Sequence, residues 1–194
     1  MVDLTGNPTL FGVSTYNIEA GTQLKLLASQ ADGLEIIGDN TTAQLSIVDL
    51  QNTLGADLSN IDETVVATAA LALLQDATLT ANLSGVDVLN ISGAYTLTVG
   101  DAATVVDATY NVGTGSTLSI GAADANTVHT IAATDTGAIS VTGATAADSY
   151  DFSGVTAASR ANAVVRYTTG GALANTTNWG TAGQLTINVA TGLD

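Results

Sequence analysis

The segment Tyr95-Thr96-Leu97-Thr98-Val99-Gly100 decides the fold, because it returns twice. It comes back as Thr117-Leu118-Ser119-Ile120-Gly121 and again as Ala138-Ile139-Ser140-Val141-Thr142-Gly143. Leu97, Leu118 and Ile139 stand 21 residues apart, and so do Val99, Ile120 and Val141. Within each copy apolar and small polar residues alternate, and a Gly, Asn, Asp or Thr cluster follows, the pattern of a short strand with one face buried. A second column keeps the same interval: Leu89, Tyr110, Ile131 and Phe152. Towards the N-terminus Gln23-Leu24-Lys25-Leu26 returns as Gln44-Leu45-Ser46-Ile47, and Gln184-Leu185-Thr186-Ile187 carries the motif near the other end.

A repeat of this length cannot bury its apolar face alone, so its core must come from stacking on its neighbours. The expected architecture is all-β: a parallel β-solenoid, or β-helix, with one repeat per turn. At this period the 194 residues make about nine turns, a rod roughly 40 Å long at the spacing of adjacent strands. A β-sandwich with evenly spaced strands is the alternative, but it does not require two columns to keep one interval.

Two stretches leave the pattern. Residues 62–75, DETVVATAALALLQ, read as a short helix: Asn60 or Asp62 supplies a cap, acids occupy the first turn, and Ala and Leu follow. Residues 160–183 fall out of register and contain Arg160, Arg166, Gly170-Gly171 and the sole Trp, Trp179. The expected organisation is therefore a solenoid body over 1–159, then an irregular segment plus a terminal strand over 160–194. The latter would serve as a cap or a lateral contact surface, since an open solenoid end invites edge pairing.

Composition narrows the function classes. Hydrophobic residues reach 46% but aromatics only 4%, so the core is built from Ala, Val, Leu and Ile. Charged residues are 11%, against about 25% in an ordinary globular domain. Eighteen acids face Lys25, Arg160 and Arg166, a net charge of −15. That balance argues against nucleic acid, which needs basic side chains to displace counterions, and against anionic membrane surfaces. It favours solubility and admits a hard cation, Ca²⁺ above all, as cofactor. The chain has no Cys, hence no disulfide and no thiolate site. Residues 1–6 lack the basic and apolar regions of a signal peptide, and no apolar run is long enough to cross a membrane. Export is expected to use a signal elsewhere or a longer chain.

Catalytic sets are poorly supplied. His129 is the only His, and its place in the repeat is taken by Ala108 and Tyr150 in the neighbouring turns, which marks a surface position rather than a triad member. One His without Cys makes no ordinary zinc site. Paired carboxylates, as in the polysaccharide-cleaving β-helices, would need clustered acids with basic helpers; here the acids are scattered. The expectation is a protein that is not an enzyme. For calcium, the glycine-rich nonapeptide of β-rolls is absent, and the Asp positions form no ladder at the repeat interval. Two local groups remain as metal candidates: Asp148 with Asp151, and Asp32, Glu35 and Asp39. An outward hydroxyl column, Thr98, Ser119 and Ser140, stands beside Thr96, Thr117 and Ala138. It is short for an ice-binding or packing array and suits a strand on propensity alone.

The segment Asp151-Phe152-Ser153-Gly154-Val155 resembles the D-F-S-G-hydrophobic stretch near the ends of repeat blocks in RTX-type proteins exported by type I secretion. The long Thr/Ala/Gly/Asn/Asp runs, with no Cys and one Lys, resemble bacterial surface-layer proteins and large adhesins. The resemblance implies secretion to the bacterial cell surface, Ca²⁺-assisted folding outside the cell, and assembly into a sheet, fibre or adhesive stalk. The expected role is a structural spacer and assembly unit whose partners are other copies or other surface proteins. A glycan- or surface-binding module using 160–183 is the alternative, and a β-helix carbohydrate-active enzyme the second.

Overall fold

In a computed structural model, described for residues 1–7, 13–99, 109–121, 129–133, 137–144, 150–151, 163–167, 176–177 and 186–189, the chain is a parallel β-solenoid. Every strand pairing among these residues is parallel, which rules out the sandwich. One face is a nine-stranded sheet: Val2–Asp3, Gln23–Leu27, Ala43–Val48, Val65–Ala72, Val88–Ser92, Thr109–Val112, His129–Ala133, Tyr150–Asp151 and Thr176–Thr177. A second face is a six-stranded sheet of Ala77–Leu79, Thr96–Val99, Thr117–Gly121, Ala138–Ala144, Ala163–Tyr167 and Thr186–Val189. A short third face pairs Thr15–Ile18 with Glu35–Gly38 and is continued by a bridge from Ile36 to Ile61.

The columns read from the repeat are the register of these sheets. Leu97, Leu118 and Ile139 lie side by side, as do Thr98, Ser119 and Ser140. Leu89, Tyr110 and Ile131 do the same on the other face, and Gln23-Leu24-Lys25-Leu26 lies directly against Gln44-Leu45-Ser46-Ile47. Because successive strand residues point to opposite sides, the inward column running from Leu26 to Tyr110 becomes a continuous apolar spine. Leu26, Ile47, Ala69, Leu89 and Tyr110 are each at most 1% exposed. Stacking supplies the stability: full burial of one such aliphatic side chain is worth about 1.5–3 kcal/mol. The copy at 184–187 differs in one respect. Thr186 and Ile187 pair with Val164 and Val165, so these two residues of the motif belong to the six-stranded sheet, whereas the copies at 23 and 44 belong to the nine-stranded one.

Residues 62–75 are not a helix. Val65–Ala72 form the longest strand of the nine-stranded sheet, with Val65, Ala67, Ala69 and Leu71 buried and the residues between them turned outward. Ala and Leu are good helix formers, but the segment also alternates with period two, and here the burial of every second residue on the sheet prevails. Among the described residues helix occurs instead as single turns, α at Ala28–Ala31 and 3₁₀ at Leu50–Asn52. Both occupy the place that the six-stranded sheet takes in later turns, and both present one buried side: Ala28 and Ala31, then Leu50.

In the stretch expected to be irregular, Ala163–Tyr167 and Thr176–Thr177 continue the two sheets. Ile139 pairs with Ala163 and Tyr150 with Thr176, longer turns than those before them. Arg160, Trp179 and the remainder of 160–183 lie outside the described residues, as does Phe152.

Candidate functional site

The polar chemistry of the described chain is concentrated at the corners between faces. Five corners share one construction that the hydrophobic period does not mark: Asp or Asn, any residue, then Ser or Thr. At Asp3, Thr5 donates to Oδ1 through its backbone N–H at 3.0 Å and its hydroxyl at 2.6 Å. Asn40 receives the same pair from Thr42, at 2.9 and 2.6 Å. Asp57 receives it from Ser59, at 3.1 and 2.6 Å, and Asp62 from Thr64, at 2.8 and 2.6 Å. At Asn82 the Ser84 N–H donates at 3.3 Å. Such a side chain mimics the backbone of a tight turn and satisfies N–H groups that the bend leaves unpaired. The signal was legible in the sequence as a recurring Asx-x-Ser/Thr triplet.

A second group of acids ties turns together. Asp32 Oδ1 accepts the Asp57 N–H at 2.7 Å, Asp76 Oδ1 the Thr96 N–H at 2.7 Å, and Asp87 Oδ2 the Ala67 N–H at 2.6 Å. Each joins groups 20 to 25 residues apart, that is, in adjacent turns. Thr42 extends the pattern by accepting the Gly21 N–H at 2.9 Å.

These bonds set the electrostatics. The Thr5 hydroxyl and N–H, with the Lys25 ammonium 3.0 Å away, hold the Asp3 carboxyl down at about 2. Asp57 and Asp62 are lowered from the ordinary carboxylate range by Ser59 and Thr64 respectively, the hydroxyl first and the N–H second. Donors aimed at a carboxylate favour its charged form.

The predicted metal ligands separate. Asp32 accepts from the Asp57 backbone, Glu35 Oε2 accepts from the Thr15 hydroxyl at 2.7 Å on the third face, and Asp39 is exposed at the following corner. A hollow of about 320 Å³ brings Glu35 together with Ser59, Asn60 and Asp62, a different set from the one the spacing suggested. No three acids or His gather as a metal group among the described residues. Asp148 lies outside the described residues; Asp151 is placed by its backbone, between Thr130 and Thr177 in the nine-stranded sheet. His129 begins its strand opposite Tyr150, the residue that takes its place in the next repeat. Among the described residues no helix is long and apolar enough to cross a membrane.

The chain was compared with protein families, curated proteins and solved structures, and none of them matches it.

Proposed function

We propose that this chain is a structural module of a bacterial cell-surface protein of the surface-layer or adhesin kind, acting as a rigid spacer and assembly unit. The observation that carries this reading is the unbroken nine-stranded parallel sheet, whose strands stack from Val2 to Thr177. A body joined turn by turn through backbone ladders and corner carboxylates resists bending and presents long, repetitive flanks. Its composition supports an extracellular setting: no Cys, three basic residues and a charge of −15. Like charge at that level keeps copies apart until an ion screens or bridges them.

Calcium is the cofactor this reading admits, through carboxylates and carbonyls at the corners. The test is a thermal melt followed by circular dichroism, in excess EGTA and then in millimolar Ca²⁺, with light scattering to follow assembly. A rise in Tm accompanied by assembly is expected, because an ion that binds only the folded state stabilises it by mass action. An unchanged Tm with no scattering removes calcium and ion-driven assembly from the account.

A further inference from the structure

The acids of this chain are not spread evenly around the solenoid. The strands Ala43–Val48, Val65–Ala72, Val88–Ser92 and Thr109–Val112 of the nine-stranded sheet hold no charged residue. Acids stand at their margins instead: Asp62, Glu63 and Asp87 before the strands, Asp49 and Asp76 after them, all exposed. The outward side of these strands is open to water, with Gln44, Val66, Ala72 and Ser92 exposed. A chain of net charge −15 repels its own copies, and the repulsion is least where a flank carries no charge.

On this flank two amides form a pair. Asn90 and Asn111 lie side by side in adjacent strands, both half-buried, and Asn111 Nδ2 donates to Asn90 Oδ1 at 2.9 Å. Asn90 Nδ2, a donor, and Asn111 Oδ1, an acceptor, have no further partner among the described residues. Such a pair is self-complementary. Consider a second copy turned by half a revolution about an axis that runs parallel to the strands, between the two residues. Its Asn111 Oδ1 then lies opposite Asn90 Nδ2, and its Asn90 Nδ2 opposite Asn111 Oδ1. Sheets packed face to face lie about 10 Å apart, a gap that side chains from both sides fill, and a two-fold contact makes each pairing twice.

We propose that the outer side of the nine-stranded sheet, around Asn90 and Asn111, is the surface on which two copies of this chain pack face to face. The proposal rests on the reading of the module as an assembly unit and supplies the contact. The six-stranded sheet is less suited. From Ala77–Leu79 to Thr117–Gly121 its outward side chains are Thr and Ser, which water satisfies as well as a protein partner does. The four uncharged strands span roughly 300 Å² at about 3.3 Å per residue and about 4.8 Å per strand. A stable complex buries about 800 Å² per partner, so this contact is weak and reversible and gains strength by repetition in an assembly. The acids along its margins make it salt-dependent, because two copies bring their margins together.

The test is sedimentation velocity from micromolar to millimolar protein, in low salt, in about 0.5 M NaCl and in millimolar Ca²⁺. It compares the wild type with Asn90→Asp and Thr98→Asp. The first substitution keeps an acceptor for Asn111 Nδ2 within the chain but turns a second acceptor and a charge towards the other copy. The second adds the same charge to the exposed outer side of the six-stranded sheet. The wild type is expected to dimerise, more strongly in high salt. Asn90→Asp should weaken the dimer at least about tenfold, since like charges then meet across the contact, and Thr98→Asp less than about threefold. Equal weakening by the two variants, or none by Asn90→Asp, overturns this face and leaves the assembly reading standing. A wild type that stays monomeric in all three solutions overturns both. Should Asn90→Asp fail to fold, Ser92→Asp, exposed on the same flank, replaces it with the same outcomes.

Discussion

The two larger faces of this solenoid obey the same repeat but tolerate different departures from it. The nine-stranded sheet runs from Val2–Asp3 to Thr176–Thr177. The face beside it opens with a helical turn at Ala28–Ala31 and a 3₁₀ turn at Leu50–Asn52, and becomes a sheet only at Ala77–Leu79. The first face is bonded to a neighbour on each side along most of its length, so each strand is templated by the last. The second has no strand to copy in the first turns. Local sequence therefore decides there: Ala28 and Ala31 at helical spacing fold as a helix, and Thr96-Leu97-Thr98-Val99 with period two folds as a strand.

The largest test of this contrast is at the glycines of the corners. Gly93 links the two sheets with a φ of 104°, and a Cβ there would fall 2.3 Å from the Leu73 carbonyl oxygen of the adjacent turn. Gly33 follows the helical turn with a φ of 68°, and a Cβ there would meet nothing within 4 Å. Gly93→Ala is expected to cost at least about 3 kcal/mol, since it adds backbone strain to a clash with main chain that cannot move alone. Gly33→Ala should cost about 1–2 kcal/mol, the penalty of the left-handed conformation by itself. Urea denaturation of the two variants measures the difference. Equal losses would mean that close stacking begins no more firmly where the second sheet does.

An intermediate effect is expected from the corner acids. Asp3, Asp57 and Asp62 have lowered pKa values in the folded chain, Asp3 at about 2. A group with a depressed folded pKa contributes stability that is complete above its unfolded value, near 3.9, and is lost as pH falls through the folded one. Tm should therefore hold steady down to about pH 4 and fall between there and about pH 2. Asn40 and Asn82 make the same turn without a charge. Asp57→Asn with Asp62→Asn should thus preserve the turns, lower Tm at pH 7 towards its acid value and flatten the acid slope. A double variant with the wild-type slope would place the acid sensitivity elsewhere.

The parts of the fold legible in the sequence were those where turn length stays constant. Leu89, Tyr110 and Ile131 announce their sheet because the turns between them are equally long. Earlier in the same column the spacing wavers. Ile47 pairs with Ala69, slightly beyond the regular interval, and Ala69 with Leu89, short of it by the same amount. The two irregularities cancel, so the period survives across them, but it passes through a small side chain that does not stand out as a core residue. That is why 62–75 reads as a helix. Turn chemistry was legible too, in the Asx-x-Ser/Thr triplets, but it is independent of the hydrophobic period and a search for that period passes over it. The grouping of Glu35 with Asp62 in one hollow was not legible at all: it depends on which corner residues face the same groove, and those corners differ in length from turn to turn.

The smallest effect tests that misread segment directly. Ala70 lies in the strand Val65–Ala72, half-buried on the outer side and paired with Asn90. Ala is the best helix former, and replacing it with Thr inside a helix costs about 0.5 kcal/mol because the branched side chain loses rotamers against the preceding turn. On a pleated surface the same change is favourable by up to about 1 kcal/mol, since the branched side chain packs against its cross-strand neighbours. The sign therefore discriminates where the magnitude is small. Ala70→Thr should raise the urea midpoint slightly with no change in slope, and Ala70→Gly should lower it. A lowered midpoint for Thr would mean that the helix-forming composition of 62–75 governs the segment in solution, and that the templating of one strand by the next, which separates the two faces, does not extend to this turn.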